Sequence, residues 1–249
     1  RASMARHSGK KGGKKRKRVA SELTGRNMRV RVKSARGRKS SSTRWLDRQL
    51  NDPYVHEARK RGYRSRAAFK LLQLDERFNF LKRGQRVVDL GAAPGGWTQI
   101  GMEKTKPSES GGKLIAVDIQ EMESLVGVDT LVLDICLPES SRTLRELLGA
   151  PADVILSDMA ATITGHKSTD HLRTMALCEE AHTLATETLV DGGILVMKAF
   201  AGGAHADLMR SLNRDFNKLH TVKPDASRPE SAETYIVATG FRSRQERDS

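Results

Sequence analysis

Five apolar runs of this 249-residue chain each end in a charged side chain: Arg86 to Asp89, Leu114 to Asp118, Thr130 to Asp134, Val154 to Asp158 and Ile194 to Lys198. Runs of that length read as strands covered on both faces, the pattern of a parallel sheet. Ligands of open parallel sheets bind outside the carboxyl ends of the strands, so Asp89, Asp118, Asp134, Asp158 and Lys198 are expected to converge on one rim. Lys70, on an early helix, and Glu233, at the start of the last apolar run, are expected to face the same rim. A lysine with its ordinary pKa of about 10.4 is a poor base at neutral pH, but desolvation or a second cation lowers it. Lys198, flanked by Val196, Met197, Ala199 and Phe200, is the lysine predicted to be buried. Lys70, Asp158 and Glu233 would set its charge state and orientation. Such a base suits a weak nucleophile, such as a ribose 2′-hydroxyl attacking an activated methyl group in line.

The cofactor is read from Val87 to Trp97, a buried strand that breaks into the turn Gly91-Ala92-Ala93-Pro94-Gly95-Gly96. Gly91, Gly95 and Gly96 permit backbone angles, and close ligand approach, that a side chain would obstruct. The turn departs from the Gly-x-Gly-x-x-Gly pattern that seats a pyrophosphate. Asp89 inside the strand end would repel phosphate but could hold a cationic amino-acid moiety, directly or through water. S-adenosylmethionine carries that moiety, and Asp118, ending the next run, falls where a ribose diol is gripped in doubly wound folds. An NAD-dependent oxidoreductase is disfavoured on the same residues.

These groups need a frame, and the elements are legible on either side of them. Ser65 is positioned to cap a helix carrying Phe69, Leu72, Leu74 and Phe78 toward the core, with Lys70 on another face. A helix beginning near His171 runs through Leu172, Met175, Leu184 and Leu189 and is expected to stop at a glycine C-cap, Asp191-Gly192-Gly193. A further helix around Asp207 to Phe216 leads to strands at Leu219–Val222 and Thr234–Thr239. The short connection between those two favours an antiparallel pair. The fold expected is therefore α/β, a Rossmann-like, mostly parallel seven-stranded sheet with the last strand antiparallel and helices on both faces.

Charge is segregated along the chain. Residues 1–44 hold 17 Lys and Arg against one acid, Glu22, whereas residues 84–249 hold 17 basic and 24 acidic side chains, within a total of +14. The run Lys14-Lys15-Arg16-Lys17-Arg18 has too few apolar neighbours to offset ordering entropy, so residues 1–44 are expected to be a disordered arm that binds RNA phosphates. Residues 45–242 are expected to form a single catalytic domain and residues 243–249 a tail. Two cysteines, Cys136 and Cys178, exclude a disulfide framework, and seven scattered histidines give no metal-ligand spacing. No apolar segment is long enough to span a bilayer or to serve as a signal-peptide core. A monomeric, cytoplasmic protein with no metal is the expectation.

The chain resembles the FtsJ-like RNA 2′-O-methyltransferases. The resemblance runs from about Trp45 to Phe241 and rests on Gly62-Tyr63-Arg64-Ser65-Arg66-Ala67-Ala68-Phe69-Lys70-Leu71, Asp89 to Trp97, Ser157-Asp158-Met159-Ala160, Val196-Met197-Lys198-Ala199-Phe200 and Glu233-Thr234-Tyr235-Ile236-Val237-Ala238-Thr239-Gly240. It implies that Lys70, Asp158, Lys198 and Glu233 form the family's tetrad, with Lys198 as proton acceptor. It implies S-adenosylmethionine contacts at Gly95, Trp97, Asp118, Asp134 and Asp158. Within the family it is most similar to the bacterial branch that methylates a uridine ribose in 23S ribosomal RNA, on an assembled or nearly assembled large subunit. Ala161 stands where the family commonly has proline, and the basic arm is longer than in short members. Methylation of transfer RNA or of an mRNA cap is the alternative within the class, and a non-catalytic RNA-binding assembly factor the alternative outside it.

Overall fold

The computed structural model describes residues 46–47, 49–161, 164–200 and 206–243. The chain divides into two compact units, residues 1–53 and 54–249. In the first, residues 46, 47 and 49–51 are helical. The expected basic arm and, Ser243 apart, the expected tail lie outside the described residues.

In chain order the helices are α1 (Pro53–Arg61), α2 (Ala68–Phe78), α3 (Gly96–Thr105), α4 (Pro107–Ser110), α5 (Ser140–Leu148), α6 (Lys167–Thr188) and α7 (Ala206–Asp215). The strands are β1 (Arg86–Leu90), β2 (Lys113–Asp118), β3 (Asp129–Val132), β4 (Ala152–Ser157), β5 (Leu189–Phe200), β6 (Phe216–Val222) and β7 (Glu233–Phe241). They form one sheet in the order β3-β2-β1-β4-β5-β7-β6. The pairs from β3 to β5 are parallel, and β7 is antiparallel to both its neighbours. The last strand is thus antiparallel as expected, to β6 and also to β5, between which it lies. Strand order reverses between β1 and β4, which places the ligand crevice of such a sheet at their carboxyl ends.

Side chains alternate across the sheet with the period of two that extended backbone imposes. Val88, Leu90, Ile115, Val117 and Ile155 pack with the buried residues of α5, α6 and α7. Val87, Leu114, Ala116, Val154 and Leu156 pack with those of α2 and α3. Helices therefore cover both faces, and the site lies where the two layers meet the rim.

Two expected caps are not used. The N-cap of α2 is Ala67 with no side-chain hydrogen bond, and the Ser65 carbonyl, not its hydroxyl, accepts the Ala68 N–H (3.3 Å). The α6 helix begins at Lys167, four residues before His171, and ends at Thr188, with Leu189 already extended (φ −72°, ψ 145°). Leu189 is buried and pairs with Ala152, so it enters the sheet before the glycines are reached. Burying a leucine contributes about 1.5–3 kcal/mol, against about 0.3–1.5 kcal/mol for a helix cap. Gly192 and Gly193 instead span the irregular register between the Leu189 and Ile194 rungs.

Candidate active site

The glycine turn is shaped by neighbouring chain. Gly91 (φ +71°) and Ala92 donate their N–H groups to the Val117 carbonyl, and a Cβ on Gly91 would lie 2.9 Å from the Met159 backbone. Gly95 (φ +111°) is the N-cap of α3, and a Cβ there would lie 2.9 Å from the Arg64 guanidinium. The Cβ direction at these two glycines is thus taken by the loop after β4 and by Arg64. What the glycines permit is close approach of protein segments around the crevice.

The carboxylates follow the strand ends. Asp118 closes β2 and accepts the N–H groups of Ala93 (2.9 Å) and Gln120 (2.9 Å), fixing the glycine turn to its own loop. Asp134 lies two residues beyond β3, which ends at Val132 rather than at the expected Asp134, and accepts the Cys136 N–H (3.0 Å). Asp89 is fully buried; one oxygen accepts the Thr98 hydroxyl (2.6 Å) and the other has no hydrogen-bond partner among the described residues. Burial pushes its carboxyl up to about 7, the Thr98 hydrogen bond acts against the rise, and the charges of Asp158 and Asp118 add to it. Asp89 therefore feels both of the other carboxylates, as a group gathered with them on one rim must. Trp97 is 2% exposed, and its indole N–H is taken by the Ala67 carbonyl (2.9 Å).

Lys70, Asp158, Lys198 and Glu233 form two adjacent pairs. Lys70 Nζ lies 2.8 and 2.9 Å from the two Glu233 carboxylate oxygens, and Lys198 Nζ lies 2.9 Å from Asp158 Oδ1. Lys198 also donates to the Asp158 carbonyl (2.8 Å), so the first turn after β4 is tied to the middle of the sheet. The antiparallel course of β7 is what delivers Glu233: its first residue pairs with Phe200, and Tyr235 pairs with Lys198. Both lysines are 8% exposed.

Tyr235 joins the two pairs and was not anticipated. Its hydroxyl donates to Asp158 Oδ1 (2.6 Å), Lys70 Nζ stands 5.6 Å from its ring centroid, and the Trp97 ring lies 5.6 Å away. Burial, then the charges of Asp158 and Glu233, raise its phenol well above the ordinary range, so it remains a donor. Burial alone would raise Asp158, but the charges of Lys198 and Lys70 and the hydrogen bonds from Tyr235 and Lys198 outweigh it and hold the carboxyl below its usual value. The signal for Tyr235 was present: it stands two residues after Glu233, hence on the same strand face.

A sulfonium cofactor fits this rim on one structural ground: Asp89 keeps a buried carboxylate oxygen without a donor among the described residues. Among the described residues no group of three or more His, Cys, Asp or Glu is placed to hold a metal ion, and no helix is long and apolar enough to cross a membrane.

Residues 63–241 match the FtsJ-like methyltransferase family. A protein of Paramagnetospirillum magneticum named ribosomal RNA large subunit methyltransferase E is 57% identical over 224 residues, covering 89% of this chain and 91% of its own. One of the same name from Jannaschia sp. (strain CCS1) is 51% identical, covering 89% and 95%. A crystal structure from Plasmodium falciparum, provisionally designated a ribosomal RNA methyltransferase, superposes with a TM-score of 0.65 at 30% identity, covering 73% of this chain and 100% of that one. With its sheet order, its rim of strand-end carboxylates and these likenesses, the chain belongs to the FtsJ-like methyltransferase family.

Proposed function

We propose that the protein transfers a methyl group to the 2′-hydroxyl of a uridine ribose in 23S ribosomal RNA, using S-adenosylmethionine. The assembled or nearly assembled large subunit would be the acceptor. The observation that carries the chemistry is the pairing of Lys198 with Asp158 beside Lys70 with Glu233 at the carboxyl ends of the central strands. The acceptor class is supported by the relatives named as large-subunit ribosomal RNA methyltransferases. When bound, the cofactor supplies a methyl group activated by its sulfonium charge.

Lys198, in its neutral form after giving up a proton, takes the proton of the attacking hydroxyl. Asp158 holds Lys198 by its carboxylate and carbonyl, Tyr235 donates to the same carboxylate oxygen, and Lys70 with Glu233 orients the acceptor and sets the surrounding charge. Asp118, Asp134 and the main chain at Gly91, Gly95 and Trp97 grip the cofactor, and the buried Asp89 carboxylate attracts its cationic end. Asp158 borders both partners. The basic arm holds RNA phosphates, and the protein works as a monomer in the cytoplasm.

The test is transfer of labelled methyl to unmodified large subunits, free ribosomal RNA and transfer RNA, with the product ribose mapped. Label at one uridine 2′-oxygen in the subunit is expected. Label on transfer RNA alone would overturn the substrate, and label nowhere would overturn the activity.

A further inference from the structure

The loop between β6 and β7 reaches one of the proposed catalytic groups, Glu233. Ser227, 4% exposed, donates its hydroxyl to Glu233 Oε1 at 2.7 Å. Glu233 is thus held on two sides, by Ser227 and by Lys70. Its backbone N–H is also engaged, donated to the Ser231 hydroxyl (3.2 Å).

The loop is fixed by the same segment that supplies Lys70. Ala226, fully buried, accepts a hydrogen bond at its carbonyl from Arg66 Nη2 (2.6 Å) and donates its N–H to Gln73 Oε1 (2.8 Å). Lys70 and Gln73 stand three residues apart on α2, the spacing that brings side chains onto one helical face, and Arg66 lies in the turn just before it. The loop's far end is closed by Lys223 Nζ, which donates to the carbonyls of Pro229 (2.9 Å) and Ser231 (2.6 Å). A closed ring results: α2 and the turn before it grip the loop, the loop places Ser227, Ser227 holds Glu233, and Glu233 holds Lys70 back on α2.

We propose that Ser227 is a positioning residue for the methyl transfer, its hydroxyl fixing the Glu233 carboxylate and, through it, Lys70. A serine with a purely structural role would tie the loop down; here the hydroxyl meets the carboxylate while Arg66 and Gln73 already secure the neighbouring backbone. Ser227→Ala therefore removes one charge-assisted hydrogen bond and leaves the loop anchored.

The inference rests on the activity proposed above, and the experiment separates the two. Wild type, Ser227→Ala, Glu233→Ala and the double variant are compared for methyl transfer to large ribosomal subunits under single-turnover conditions, which keep slow variants measurable. Cofactor affinity and thermal melting are measured alongside. Ser227→Ala is expected to slow transfer about tenfold, in line with loss of a hydrogen bond to a charged group, with cofactor affinity and melting nearly unchanged. In the Glu233→Ala background the same substitution is expected to change the rate less than about twofold, because coupled residues are not additive. A tenfold loss in both backgrounds would make Ser227 structural and overturn the proposal, as would no loss in the wild-type background. Absence of transfer by the wild type would overturn the activity and this inference together.

Discussion

Asp89 combines a cost to the fold with a place in the proposed cofactor site, and pH separates the two. Its carboxyl is fully buried and pushed up to about 7 from an ordinary value of 3.8, first by burial. The folded state therefore favours the neutral form. Stability from that form is complete below about pH 3.8 and is lost as pH rises through about 7. Asp89→Asn is accordingly expected to melt higher than wild type at pH 8, by about 2–4 °C per kcal/mol recovered, with the gain shrinking toward pH 5. Cofactor affinity should move oppositely: wild type should bind more tightly as pH rises from 6 to 8, and the variant should bind weakly at both. Melting curves and calorimetric titrations at those pH values check this, and equal melting at pH 8 would remove Asp89's charge from the argument. Lys198→Ala is expected to abolish transfer while leaving cofactor affinity within a few-fold, because the lysine acts on the acceptor hydroxyl. Parallel loss of binding and transfer would contradict that role. Lys198 and Asp158 were legible because each ends an apolar run. Thr98 and Ser227 were not, since a hydroxyl's partner is set by folding distance: Ser227 meets Glu233 only after a loop has turned back on itself.

At the scale of elements, Arg64 joins three segments that the chain visits separately. It lies in the turn between α1 and α2, and its guanidinium donates to the carbonyls of Pro94 (3.3 Å) in the glycine turn and of Glu123 (2.5 Å) and Ser124 (3.1 Å) after β2. Its backbone N–H donates to Gln99 Oε1 on α3 (2.7 Å). The two loops it bridges are those that Asp118 also ties together through Ala93, so both devices hold the proposed cofactor mouth. A lysine carries the charge but lacks the planar fork needed to span both loops. Arg64→Lys is expected to weaken cofactor binding about tenfold, the scale of one lost hydrogen bond from a charged donor, with little change in rate at saturating cofactor. An unchanged dissociation constant would count against the clip. Nothing in the local sequence announces this contact, because Arg64 and its partners lie 30 to 60 residues apart. The strands were readable because burial on both faces leaves a continuous apolar run. The end of α6 was not, because the glycines were read as a local stop while Leu189 answered to its partner Ala152 in the sheet.

Over the whole molecule the distribution of charge sets what the proposed catalytic body needs in order to meet RNA. Residues 84–249 hold 17 basic and 24 acidic side chains, so most of the sheet and its helices carry a charge that phosphate does not favour. The sixteen net positive charges of residues 1–44 reverse that balance. Deletion of residues 4–40 removes 15 Lys and Arg. If about five of them lie on single-stranded phosphates, each contributes about 0.7 to the slope of log affinity against log salt, and the slope flattens by about 3.5. Affinity for ribosomal RNA should then fall at low salt and converge on that of the full chain at high salt, where counterion release no longer drives binding. Cofactor affinity should be unchanged, since no residue placed at the cofactor site or its mouth lies before Arg64. Filter binding across a salt series on both proteins makes the comparison. Parallel lines would mean that the arm contributes no phosphate contacts, and recognition would have to come from the folded body; a flattened line would assign the electrostatic share of RNA affinity to the arm and leave the choice of ribose to the site.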